Sequence, residues 1–136
     1  IGTIPNAEVL VEKAKASETG KSWSTGGSNI CTVEFEKDVS AMKRPFGFGV
    51  KYTFTLEDAI DSCPEYLVDI EVLKSLCKEF QLELRELKTF HDFKEENFRR
   101  NKGLWDKMNV TGLSNEELGV IDLYQIFAFE KVRGYS

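Results

Sequence analysis

The 136-residue sequence is poor in the residues that most often carry catalysis. It has one histidine, His91, and three cysteines, Cys31, Cys63 and Cys77, too far apart for any CxxC pair. That scatter excludes a zinc site of ordinary ligand spacing. An odd, dispersed set of thiols predicts three free cysteines in a reducing compartment. Excess positive charge is also missing, since 18 basic and 23 acidic residues leave a net charge of −5. A module that holds RNA mainly through its phosphates needs a basic face, so this chain does not fit that class. No apolar run approaches the roughly 18 residues of a membrane-spanning helix. Ser24-Thr-Gly-Gly-Ser28 is glycine-rich but lacks the lysine and the preceding strand of a phosphate-binding loop. His91 beside Asp92 suggests a catalytic dyad only superficially. In the strand expected there, neighbours point to opposite faces.

What is present is enough chain for one domain with a real core, and a pronounced period-2 segment. Val50, Tyr52, Phe54 and Leu56 alternate with Lys51, Thr53, Thr55 and Glu57, the pattern of a half-buried strand. An aromatic turn, Pro45-Phe-Gly-Phe-Gly49, leads into it, and Glu57 stands where it ends. A carboxylate at a strand mouth suits a flat ligand with paired hydrogen-bond donors.

The rest of the chain reads as alternating elements. Ile1–Pro5 resembles the end of a strand whose opening residues are not in the sequence, and Asn6 caps a helix running to about Ser17. Residues 18–30, rich in Ser, Thr and Gly, are expected to form a flexible loop. Cys31–Glu36 alternates as a strand and should pair antiparallel with the Val50–Glu57 strand. Ser62-Cys-Pro-Glu65 matches a capping box with proline in the first turn, so a helix is expected through Tyr66, Ile70, Leu73, Cys77 and Phe80. Gln81–Phe90 should be a strand. Asp92-x-x-Glu95 should open a charged helix with Phe98, Trp105 and Met108 on its buried side, broken by Asn109–Gly112. Ser114-x-x-Glu117 caps a short helix. Asp122–Lys131 is nearly all apolar from Leu123 to Phe129 and should be a strand covered on both faces. This order fits the second half of an α/β sandwich better than a complete fold.

Four segments occur in register: Ile1-Gly-Thr-x-Pro-Asn6, Phe48-Gly-x-x-Tyr52-x-Phe54-x-Leu56-Glu57, Pro64-Glu-Tyr-Leu-Val68 and Leu123-Tyr-x-x-Phe-Ala-Phe-Glu-Lys131. Together they resemble the C-terminal half of eukaryotic mRNA cap guanine-N7 methyltransferase, over nearly the whole chain. The resemblance implies an α/β, class I (Rossmann-like) S-adenosylmethionine-dependent fold with antiparallel terminal strands. It implies methyl transfer to N7 of the 5′ cap guanine of mRNA. The cofactor would be S-adenosylmethionine, bound by an N-terminal half lying before Ile1, so the chain alone is expected to be inactive.

The resemblance also assigns a guanine-binding wall. Glu57 would accept from the guanine edge, Tyr124 would border the pocket, and Pro5 would line it. An aromatic of the Phe-Gly turn, Phe46 or Phe48, would pack on the ring, with Phe48 favoured by motif register. Guanine offers N1–H and N2–H₂ as adjacent donors to one carboxylate, and N7 carries a free lone pair, so no general base is expected. Implied partners are the capped mRNA end and other proteins of the capping apparatus, with self-association through unpaired strand edges. Implied location is the nucleus, or the cytoplasm if the source is viral. The alternative reading is a non-catalytic binding or regulatory subunit of a capping complex.

Overall fold

The computed structural model describes residues 1–26, 29–109 and 112–133, and its elements form two antiparallel sheets and five helices. One sheet holds three strands in the order β1 (Gly2–Pro5), β7 (Tyr124–Lys131) and β6 (Leu82–Thr89). The other holds β2 (Ser22–Ser24), β3 (Cys31–Phe35), β4 (Lys51–Leu56) and β5 (Ile60–Tyr66) in sequential order. Both β1 and β6 run antiparallel to β7, so they are parallel to each other.

Helix α1 (Ala7–Lys15) starts where Asn6 accepts a hydrogen bond from the Val9 N–H at 3.4 Å. Its Leu10, Val11 and Ala14 recur at helical spacing and are buried against the alternating inward residues of β3 and β4. Val33, Phe35, Tyr52 and Phe54 are each no more than 3% exposed. The period-2 reading of both strands therefore translates directly into a core. The register Val33↔Phe54 and Phe35↔Tyr52 confirms the expected antiparallel pair.

Several expectations change. The segment Ser62–Glu65 is not a helix start but the body of strand β5, paired with β4 through Tyr52↔Glu65, Thr53↔Pro64 and Phe54↔Cys63. Strand β5 is the edge of its sheet, where the missing N–H of Pro64 costs no ladder bond. Ser62 has φ +47°, incompatible with an N-cap, which needs extended backbone. The cap is Asp69, and helix α2 follows at Ile70–Glu79.

Residues 18–30 are not wholly loop, because Ser22–Ser24 pairs with Thr32–Glu34. Gly27 and Ser28, from the same stretch and from the glycine-rich Ser24–Ser28 motif, lie outside the described residues. Phe90 and His91 belong to helix α3 (Phe90–Arg100) rather than to a strand, and its cap is Thr89 rather than Asp92. The Asp92 N–H donates to Thr89 Oγ1 at 3.1 Å. The charged helix is divided at Asn101, beyond which α4 (Lys102–Lys107) begins. Within its expected break, Val110 and Thr111 are outside the described residues.

Helix α5 (Asn115–Ile121) has the expected capping box, with reciprocal bonds between Ser114 and Glu117. Strand β7 is covered less completely than its composition suggested. Leu123 and Gln125 are buried, whereas Ile126 to Phe129 are only partly so. Above Ile126, helices α3, α4 and α5 stand away from the sheet and leave an apolar cleft of about 620 Å³.

Candidate guanine-binding site

The register of β1 and β7 sets Pro5 directly opposite Tyr124. The Tyr124 ring meets Phe54 of β4 edge-on at 6.4 Å and Phe90, at the start of α3, at 5.7 Å. A strand from each sheet, β1 and β4, and the start of helix α3 thus converge on one tyrosine. The site lies at the carboxyl end of β1, which finishes at Pro5, and of β6, which finishes at Thr89.

A carboxylate faces this cluster, and it is Glu65. Residues directly opposite in an antiparallel pair share a face, so Glu65 and Cys63 of β5 stand on the same inner face as Tyr52 and Phe54. The Tyr52 hydroxyl donates to Glu65 Oε2, and Oε1 has no hydrogen-bond partner among the described residues. Burial, reinforced by that hydrogen bond and by the negative charge, pushes the Tyr52 phenol above its ordinary range. Burial also raises the Tyr124 phenol, with the Glu65 carboxylate adding to the effect. Both tyrosines therefore stay protonated across physiological pH. Tyr52 acts as a fixed donor that orients Glu65 and leaves one oxygen open.

Glu57 lies elsewhere. It is exposed at the β4–β5 hairpin, one residue past the strand, where its N–H donates to the Ile30 carbonyl at 2.8 Å. In the regular β3–β4 register Leu56 shares the inner face with Phe54, so alternation places Glu57 on the outer one. Five residues separate Glu57 from Tyr52, about 17 Å along a strand. The hollow beside Glu57 is lined only by the hairpin's own residues 55–61, with no contribution from β1 or β7.

The aromatic turn stands at the opposite end of β4. Phe46 is half-buried and packs on the core, with its N–H donating to Asp69 Oδ2 at 2.9 Å. Phe48 is 77% exposed. The whole length of β4, about 20 Å, separates Phe48 from Glu57, so one purine ring cannot touch both. Of the expected site residues, the fold brings together Pro5 and Tyr124.

His91 is exposed, with Nδ1 3.9 Å from an Asp122 carboxylate oxygen, not from Asp92. The described residues contain no group of three or more histidine, cysteine or acidic side chains able to hold a metal ion.

A family model described as the mRNA (guanine-N(7))-methyltransferase domain matches residues 1–132. The chain belongs to the mRNA (guanine-N(7))-methyltransferase family. Among curated relatives, the mRNA cap guanine-N(7) methyltransferase of Schizosaccharomyces pombe is 36% identical over 96% of this chain and 38% of its own length. That of Candida albicans is 36% identical over 97% of the chain and 31% of its own length. mRNA cap guanine-N(7) methyltransferase 1 of Arabidopsis thaliana is 35% identical over the full chain and 38% of its own length. The chain thus spans about a third of the relatives it matches.

The geometry draws attention to a carboxylate that sequence reading passed over. Glu65 was absorbed into an apparent Ser-x-Pro-Glu capping box. The signal that could have exposed it was alternation, since Cys63, Glu65 and Leu67 fall on one face in phase with Tyr52 and Phe54.

Proposed function

We propose that this chain supplies the guanine-binding wall of an mRNA cap methyltransferase, which transfers a methyl group from S-adenosylmethionine to N7 of the 5′ cap guanine. The observation that carries the reading is the half-occupied Glu65 carboxylate, held by the Tyr52 hydroxyl beside Tyr124 and Pro5. In this reading Glu65 rather than Glu57 accepts from guanine N1–H and N2–H₂. Both bonds are charge-assisted. Adenine has an acceptor at N1 and no 2-amino group, so it would leave the carboxylate unpaired at a cost of about 1–3 kcal/mol.

Tyr124, with Phe54 and Phe90 behind it, is a rigid apolar border for the purine and keeps water from its edge. Because the N7 lone pair is available at neutral pH, the residues need only align the base, and none must remove a proton.

A class I, Rossmann-like architecture is consistent with the parallel relation of β1 and β6. Ligands of open α/β sheets sit at the carboxyl ends of such strands, where Pro5 and Phe90 are found. S-adenosylmethionine would supply an electrophilic methyl group. The described residues do not fit that cofactor, because none of the positive-φ glycines, Gly20, Gly47 and Gly49, lies between a strand and a following helix. We therefore assign the cofactor to residues outside this chain. The partners are then capped mRNA and other capping proteins. The location is the nucleus, or the cytoplasm for a viral source. The outer edge of β1 carries no strand among the described residues, and self-association there is the expected solution state. Light scattering tests it.

The deciding experiment is titration of the chain with GTP and ATP, repeated with Glu65→Gln and Glu57→Gln. Glu65→Gln should weaken GTP binding about 10- to 100-fold and erase the preference over ATP, with Glu57→Gln unchanged. The reverse result would return the role to Glu57. Equal affinity of the unmodified chain for GTP and ATP would refute guanine recognition altogether.

A further inference from the structure

We infer that the Lys43–Lys51 turn is a second nucleic-acid subsite, with Phe48 a stacking platform for a base of the RNA that follows the cap. The inference rests on the guanine-site reading above.

The charge of the chain reverses locally. Between residues 37 and 51 there are four basic side chains, Lys37, Lys43, Arg44 and Lys51, and one acid, Asp38, in a chain of net charge −5. Two of these are committed internally. Arg44 pairs with Glu8 at 3.1 Å and approaches Asp69 at 3.7 Å, and Lys51 pairs with Glu36 at 3.0 Å. Lys37 and Lys43 form no ion pair among the described residues. They remain able to meet phosphate.

The turn presents its aromatic side chain deliberately. Gly47 and Gly49 flank Phe48 with φ of +72° and +77°, and a Cβ on either would meet no atom within 4 Å. Glycine is needed there for backbone conformation and not for close packing. The base of the turn is fixed by Asp69, whose side chain is fully buried and accepts from the Phe46 N–H at 2.9 Å. The far side is closed by the Leu67 N–H donating to the Val50 carbonyl at 2.8 Å. A bulky ring exposed to 77% on a turn anchored at both ends loses little conformational freedom when a base stacks on it.

Phe48 precedes Tyr52 by four residues, at most about 14 Å of chain. Tyr52 holds the carboxylate of the guanine site. The 5′–5′ triphosphate of a cap is a flexible spacer of comparable reach. Beyond it comes a single strand whose bases present free faces to aromatic side chains.

The test compares GTP, a capped pentaribonucleotide and the same pentaribonucleotide with an uncapped 5′-triphosphate, each titrated against the chain, Phe48→Ala, Phe48→Trp and Lys43→Ala. Phe48→Ala should keep GTP affinity within about twofold and weaken both oligonucleotides about 5- to 100-fold. Phe48→Trp should restore binding, with extra fluorescence quenched by the oligonucleotides and not by GTP. Lys43→Ala should flatten the salt dependence of oligonucleotide binding by about one unit of slope. Equal weakening of GTP and capped RNA by Phe48→Ala would overturn the inference and place the ring on guanine. Unchanged affinities for all three ligands would overturn it too. If the chain failed to prefer GTP over ATP, the guanine reading would fall, while the uncapped oligonucleotide would still report stacking on Phe48.

Discussion

Replacing Asp69 by alanine should be the most damaging single substitution of a polar side chain here, and its size can be worked out. One carboxylate oxygen caps α2 by accepting from the Glu71 N–H at 2.9 Å, and the other accepts from the Phe46 N–H at the same distance. Loss of an N-cap costs about 1 kcal/mol. Leaving the Phe46 N–H without a partner costs about 1–3 kcal/mol more. Arg44 keeps its pairing with Glu8 and adds little. The total is about 2–4 kcal/mol. An unfolding entropy of about 0.29 kcal/mol/K for 136 residues converts this to a fall in Tm of about 7–14 °C.

The same side chain gives a pH signature. Burial alone would raise its pKa, but the backbone N–H groups of Phe46, Glu71 and Val72, together with Arg44, outweigh it and hold the carboxyl below its ordinary value. A lowered folded-state pKa means that the contribution is complete above the unfolded value of about 3.9 and disappears as pH falls through the folded value. Urea denaturation at pH 7 and across the acid limb should show Asp69→Ala less stable at neutrality, with a shallower loss on acidification. A change below about 0.5 kcal/mol at pH 7, or an unaltered acid limb, would refute the account of this clamp.

Two other predictions concern Gly20 and Cys31. Gly20 has φ +64°, and a Cβ there would lie 2.1 Å from Ser40 Oγ and 2.3 Å from an Asp38 carboxylate oxygen. Gly20→Ala should destabilise the chain by about 1–3 kcal/mol, measured as a lower urea midpoint with unchanged slope. Of the three free thiols, Cys31 is fully buried and its pKa is pushed up to about 11 by burial. A thiol reagent at pH 8 should therefore modify two cysteines quickly, Cys63 and Cys77, and reach the third only on unfolding. Three fast thiols would contradict the packing around Cys31.

Local chemistry was legible where it agreed with tertiary context. Asn6, the alternation in Cys31–Phe35 and Lys51–Leu56, and the Ser114–Glu117 capping box read correctly because each is short-range and self-sufficient. Ser62–Glu65 misread because two signals competed. A Ser-x-Pro-Glu string satisfies the helix-start pattern, yet pairing with β4 aligned Cys63, Pro64 and Glu65 in a ladder, and an edge position tolerated the proline. The cap passed seven residues onward to Asp69, whose partner Phe46 lies 23 residues earlier and left no local trace.

The sequence by itself determined the family, since its motifs occur in order along the chain, and the core face of β3 and β4, since period-2 alternation dictates which side chains are buried there. The resemblance it carries also grouped Pro5 with Tyr124, and the β1–β7 register sets those two opposite each other. Tertiary structure alone decided which carboxylate shares the face of Tyr52 and Phe54. Glu57 and Glu65 are the same residue type within one hairpin. Hairpin register put Glu65 opposite Tyr52 on the inner face, whereas Glu57 was left at the turn. One residue's difference in register changes the face a side chain occupies, and composition carries no information about it.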